Sequence, residues 1–176
     1  MQRDDQPSEA AAGGNPAQRS DLPPSVARVV EAASRLGLSI TPRLMPASTR
    51  TADEAAAACG CGVAQIVKSL LFSGAGSGQT HLLLVSGANR VNEKAMKGVI
   101  GEALKRPDAD SVRAATGFAI GGVPPLGHAT PSPVWFDEDL LRFDTVFAAA
   151  GHPNAIFPVD PKALAEATAA TVVKVS

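Results

Sequence analysis

The sequence is poor in aromatic residues, with six Phe, one Trp and no Tyr among 176 residues. Single-stranded nucleic acid is often held by stacking bases on several such side chains, so that mode of binding is excluded. Cysteine is scarcer still. Cys59 and Cys61 sit in Cys-Gly-Cys, too close for an easy disulfide, and no second pair completes a zinc site. They read as small residues at a helix end in a reducing compartment. No apolar run reaches the roughly 18 residues of a membrane helix, and the first residues hold no apolar signal core. That reading points to a cytoplasmic protein with no membrane contact.

Familiar catalytic signatures are missing too. There is no glycine loop ending in Gly-Lys-Ser/Thr, no Gly-x-Gly-x-x-Gly, no nucleophile elbow and no His-Glu-x-x-His. His81, His128 and His152 lie far apart in the chain, so their spacing supports no metal site, and nothing calls for a cofactor. Charge is nearly balanced at −1, which excludes a whole-molecule field that attracts polyanions. Residues 1–24 carry a net −2, leaving +1 for the rest, so a polyanion must be met by a local patch.

What remains is an ordinary globular composition, 45% hydrophobic and 19% charged, long enough for one domain with a sizeable core. Residues 1–24 are polar, without hydrophobic periodicity, and are expected to form a disordered tail. The folded domain is expected over 25–176. Val26, Val29, Val30, Ala33 and Leu36 recur at helical spacing before Gly37, and a strand follows over 39–45. Thr51 and Glu54 make a capping-box signature for an Ala-rich helix ending at the Cys-Gly-Cys-Gly stretch. Strands are expected over 64–73 and 80–86, joined by a Gly/Ser hairpin loop. Asn92 caps a helix over 93–105, and another covers 108–115 after Pro107. Three strands, a helix opening at Pro161 and a final strand follow. The mixture predicts an α/β (α+β) domain built on a mixed, curved sheet.

Five features could carry chemistry. Lys68 stands in the apolar strand Ala-Gln-Ile-Val-Lys-Ser-Leu-Leu-Phe. Burying an unpaired ammonium costs several kcal/mol, so Lys68 either snorkels to water or faces an anionic ligand at a pocket rim. Residues 116–133 hold four Gly and four Pro in 18 positions, with Gly121, Gly122, Val123, Pro124 and Pro125 at their centre. Such a loop is either a rigid connection or a backbone cradle that stabilises an oxyanion at an attacked carbonyl. Gly151-His152-Pro153-Asn154 is a turn offering an imidazole. Asp137 reads by default as a helix cap. Six cations between Arg90 and Arg113 against four acids form either a solvated face or a set of phosphate contacts.

In order and spacing, IVKSLLF, LLLVSGANRVNEKAM, ATGFAIGGVPPLG, VWFDEDLL and VFAAAGHPNAIF resemble the YbaK and prolyl-tRNA-synthetase-associated editing domains. The resemblance covers roughly residues 26–176. It implies a barrel-like mixed sheet flanked by helices and hydrolysis, without a metal, of the ester joining a wrong amino acid to tRNA, usually tRNA(Pro). It implies that Lys68 positions the terminal adenosine and its phosphate, and that Gly121 to Pro125 bind the aminoacyl carbonyl. Gly151, His152, Asp137 and Ser69 would then lie on the substrate. The implied partners are aminoacyl-tRNA and prolyl-tRNA synthetase, with a monomer adequate for the chemistry. The turn at Gly151 departs from that of cysteine-specific members, which favours alanine or another small residue. A non-catalytic module binding tRNA or a synthetase, and a hydrolase of another small ester, are the alternatives.

Overall fold

The computed structural model of the protein describes residues 21–176. Most of the expected tail therefore lies outside the described residues. Helix α1 spans Pro24–Arg35, with proline in its first turn, where its missing N–H leaves no hydrogen bond unmade. Helix α2 (Ala52–Cys59) opens with the expected box: Thr51 Oγ1 accepts from Glu54 N at 3.1 Å, and Glu54 Oε2 accepts from Thr51 N at 3.4 Å. Strands β2 (Ile66–Gly74) and β3 (Thr80–Ser86) form the hairpin. Between Leu38 and Pro46 only β1 (Arg43–Leu44) forms, shorter than expected, because Pro42 and Pro46 flank it and cannot donate to a ladder.

Helix α3 (Glu93–Ile100) is capped by Asn92 as expected but stops five residues early. Gly101 adopts φ +95°, which ends the helix, and Leu104–Lys105 become strand β4 instead. Helix α4 (Ala109–Thr116), strands β5 (Val134–Asp137), β6 (Val146–Ala149) and β7 (Ala155–Val159), helix α5 (Pro161–Ala167) and strand β8 (Thr171–Val173) complete the chain.

All eight strands join one mixed sheet, in the order β1-β7-β6-β2-β3-β5-β8, with β4 also on β2. Helices cover both faces. On one, Val26, Val29 and Ala33 of α1, Val112 of α4 and Leu164 of α5 pack on Val67, Leu71, Leu84 and Phe157. On the other, Met96 of α3 packs on Phe72, Leu83 and Val85, and Ala55 and Ala56 of α2 pack on Ile66 and Ile156. β3 is thus apolar from Leu82 to Val85, since both of its faces are buried there.

The sheet has a break along one edge of β2. On one side β2 is paired with β3 over seven residues. On the other, β6 pairs only with Ile66 and Val67, and β4 only with Ser73 and Gly74. Among the described residues, the stretch from Lys68 to Phe72 has no strand on that side. Continuing the β4 register would set Pro107 opposite Leu71, and proline has no N–H to extend the ladder. At the other end, Gly151 at φ +91° turns the chain away after β6. A side chain there is excluded on contact as well, because a Cβ would lie 2.9 Å from Phe118, Val29 and the Ser25 carbonyl.

Candidate functional site

A cavity of about 410 Å³ fills the break. Its floor is β2 from Ile66 to Phe72, and its walls come from Thr49–Thr51, Arg106 and Pro107, Gly121 and Val123, and Phe147 and Ala149. This volume suits a small-molecule-sized group. Among the described residues, three cations line it, Arg50, Lys68 and Arg106, and no carboxylate does.

The register shows which groups of β2 face the opening. Gly87 N–H donates to the Ile66 carbonyl and Gly74 N–H to the Gln79 carbonyl, so the even-numbered residues of β2 bond to β3. The odd-numbered ones point the other way. Val67 and Ser73 meet β6 and β4, whereas Ser69 and Leu71 direct their N–H and C=O groups into the cavity. Ser69 Oγ is sealed from solvent and, among the described residues, has no hydrogen-bond partner. Buried polar groups are nearly always paired, so the unpaired backbone N–H and C=O groups of Ser69 and Leu71 along this edge are the mark of a binding surface.

Lys68 sits on the opposite face of β2, with Ile66, Leu70 and Phe72. Its Nζ donates to the Asn89 carbonyl at 2.5 Å. Burial pushes its pKa down, and Arg90 adds to that effect, while Asp137 opposes it. Asp137 is 1% exposed and does not line the cavity. Its carboxylate accepts from Ser86 N, from Asn89 Nδ2 and, as a cap, from Asp139 N, at 2.9 to 3.0 Å. Asp137 thus holds Asn89, and Asn89 holds Lys68. The sequence expectation of direct substrate contact at Asp137 has no geometric support; its contacts are those of a positioning residue.

The two glycine loops meet behind the wall. A Cβ on Gly122 would lie 2.9 to 3.1 Å from the backbone of His152, so glycine is what lets them approach. His152 itself is outside the lining; its Nδ1 accepts from Asn154 N at 3.1 Å. The turn builds the wall through its backbone: the Pro153 carbonyl receives Thr49 N at 2.8 Å and Thr49 Oγ1 at 2.9 Å. Pro124 and Pro125 also lie outside the cavity. Pro125 lines a second hollow on the far side of the loop, and the Pro124 carbonyl accepts from His128 Nε2 at 2.7 Å. Of the expected residues, then, Lys68, Ser69, Gly121 and Val123 line the cavity. Gly122, Pro124, Pro125, Gly151, His152 and Asp137 support it from behind or lie elsewhere.

Arg50 and the open edge of β2 were not marked by any sequence signal. Arg106 was, as one of the cations after Arg90; it stands 3.6 Å from Glu93 Oε1 and 5.8 Å from the centre of the Phe72 ring. Cys59 and Cys61 are partly buried with their thiol pKa values raised by that burial, as packing residues of α2 and its exit. Among the described residues no three His, Cys, Asp or Glu side chains converge as metal ligands, and no helix is long and apolar enough to cross a membrane.

Comparison with known proteins decides the class of the site. The aminoacyl-tRNA editing domain profile matches residues 46–167. This chain belongs to that family. Its editing-domain fold is shared with a crystal structure of a proposed trans-editing enzyme for prolyl tRNA synthetase, 46% identical, covering 89% of this chain and 99% of that one with a TM-score of 0.84. A hypothetical protein of known structure is 32% identical over 84% of this chain and 98% of its own, with a TM-score of 0.78. The uncharacterised protein YwhH of Bacillus subtilis is 35% identical over 119 residues, 68% of this chain and 75% of that protein. The cavity described above lies within the matched editing domain, whose substrate class is aminoacyl-tRNA.

Proposed function

We propose that this editing domain, residues 25–176, hydrolyses the ester of mischarged tRNA(Pro) carrying a small amino acid, with alanine as the leading candidate, and acts in trans as a monomer. The observation that carries this reading is the cavity itself, where three cations and a row of backbone donors converge on one opening with no carboxylate among the described residues that line it. A terminal adenosine phosphate fits beside Lys68 and Arg106. The aminoacyl carbonyl would lie against the backbone of Gly121 and Val123, which line the cavity.

An aminoacyl ester is already activated, so positioning and stabilisation of the developing oxyanion supply most of what hydrolysis needs. Water, or the adenosine hydroxyl next to the ester assisting it, attacks the carbonyl carbon; the alkoxide of the tRNA ribose leaves and takes up a proton. Lys68, with its pKa lowered by burial, neutralises phosphate and positions the adenosine without acting as base. No metal takes part in this scheme. The tRNA(Pro) assignment is supported by the 46% identity to the proposed trans-editing enzyme for prolyl tRNA synthetase, and a complex with such a synthetase is compatible with it.

The test is a panel of tRNA(Pro) carrying Ala, Ser, Cys or Pro, each incubated with the protein, with and without chelator. Loss of the Ala ester, sparing of Pro and indifference to chelator are expected. Binding of the charged tRNA with no hydrolysis of any ester would contradict the enzyme reading and leave a non-catalytic tRNA-binding module.

A further inference from the structure

The cavity wall formed by Arg106 and Pro107 is lightly built. Strand β4 meets β2 through two residue pairs, Ser73 with Lys105 and Gly74 with Leu104, and passes straight into that wall. So short a ladder is a poor restraint, since even a complete two-stranded hairpin is marginal alone in water. Arg106 is exposed, and its pairing with Glu93 Oε1 at 3.6 Å is loose.

Glu102, four residues before Arg106, supplies a further tie. Its Oε2 accepts from Gly76 N at 3.0 Å and Ser77 N at 2.9 Å, and its Oε1 accepts from Ser77 Oγ at 2.5 Å. All three donors lie in the turn between β2 and β3, and the next carbonyl, that of Ala103, accepts from Ala75 N at 2.8 Å. Gly74 makes room, because a Cβ there would overlap the Glu102 carboxylate. The hydrogen bond from the Ser77 hydroxyl is the chief cause that holds the Glu102 pKa below its ordinary value, so the group is charged at neutral pH.

Behind Glu102 stands His81, 4% exposed. Trp135 Nε1 can only donate, so His81 Nδ1 accepts from it at 3.2 Å and the neutral ring keeps its proton on Nε2. That nitrogen is sealed from solvent without a hydrogen-bond partner among the described residues, and Glu102 Oε1 faces it at 3.8 Å. One carboxylate outside the cavity lining thus joins the β2–β3 turn, β3 and the entry to β4.

We propose that Glu102 is a positioning residue for deacylation: its clasp on the β2–β3 turn sets β4 so that Arg106 meets substrate phosphate in the cavity. This rests on the deacylase reading above. Charge-assisted hydrogen bonds are about twice as strong as neutral ones, so the clasp outweighs the two-pair ladder. Without it β4 frays from β2 and Arg106 loses its place, whereas Lys68, held by the Asn89 carbonyl, keeps its own.

The test is a double-mutant cycle read on KM, kcat and salt dependence with Ala-tRNA(Pro). Glu102→Ala is expected to raise KM about tenfold, to leave kcat within about threefold, and to lower the log–log salt slope by about one, as Arg106→Gln does. Since both variants remove the same contact, the double variant is expected to have a KM within about twofold of Glu102→Ala alone. KM effects that multiply, or a Glu102→Ala slope equal to the parent's, would overturn the proposal. Ser77→Ala, at the exposed tip of the turn, covers the case in which Glu102→Ala does not fold. It is expected to melt with the parent and to raise KM about threefold, and an unchanged KM would also overturn the proposal.

The same cycle is run on the Kd of a non-hydrolysable, 3′-amide-linked alanyl-tRNA(Pro). Absence of hydrolysis by the parent would remove the deacylase reading alone, whereas effects on Kd that multiply would remove the role of Glu102.

Discussion

Lys68, the side chain proposed to position the adenosine, is kept at some cost to the fold. Its ammonium is partly buried beside Arg90, and its pKa is pushed down chiefly by that burial. The unfolded chain therefore holds this proton more tightly than the folded one, and the charged form opposes folding at neutral pH. Stability from this group rises as pH climbs from the folded pKa toward the ordinary lysine value. Lys68→Met is accordingly expected to melt no lower than the parent at pH 7, as measured by calorimetry, although it removes the cation from the cavity. His128 gives the same trend at lower pH. Burial lowers its pKa from the ordinary 6.5 while it holds the Pro124 carbonyl, so its contribution is lost as pH falls below that value. The melting temperature is expected to drop between pH 7 and 5, and His128→Gln is expected to flatten that drop. The sequence marked Lys68 and the glycine loop plainly, since an ammonium among apolar residues and a Gly/Pro-rich stretch are both anomalies. It could not mark Arg50, an ordinary exposed arginine until the fold sets it against Gly121, where a Cβ would lie 3.1 Å from its Cγ.

Among the elements, β2 matters most, and its function depends on where its neighbours stop. A substitution that lets β4 continue should close the opening. Pro107→Ala restores an N–H opposite Leu71 and removes the proline restraint on that segment. It is expected to leave thermal stability equal or higher while lowering deacylation about tenfold or more, a split between melting and kinetics that simple damage to the fold would not produce. Gly122→Ala forces its Cβ against the His152 backbone, so a loss of about 1–3 kcal/mol in urea unfolding is expected, together with reduced activity. Most elements were legible from periodicity and caps, because Thr51, Asn92 and Asp108 all cap helices through side chains. The strand expected over 39–45 was legible, but not that Pro42 and Pro46 would cut it to the two residues of β1. β4 was not legible: it has two residues and was hidden inside a helical pattern that Gly101 interrupts. The break in the sheet depends on register between strands about 30 to 80 residues apart, which no local pattern encodes.

For the whole molecule, a net charge of −1 gives no long-range pull on tRNA, so the local cations carry the encounter. Of the acids near the cavity, Glu93 partly offsets Arg106, and Glu102 is held by the Gly76 and Ser77 amides. Phosphate contact through a few such cations should release a few counterions. The KM for aminoacyl-tRNA is expected to rise with salt at a log–log slope of about 1 to 3, and Arg106→Gln is expected to lower that slope by about one. The central claim is that one cavity, with Lys68 at its side, removes a small amino acid from tRNA(Pro) and spares proline. It is tested most directly by single-turnover deacylation of Ala-tRNA(Pro) and Pro-tRNA(Pro), by the parent protein and by Lys68→Ala. Hydrolysis of the alanyl ester at least about 100-fold faster than the prolyl ester, lost in Lys68→Ala without loss of fold, is the expected result. Equal rates on both esters, or full activity in Lys68→Ala, would contradict it.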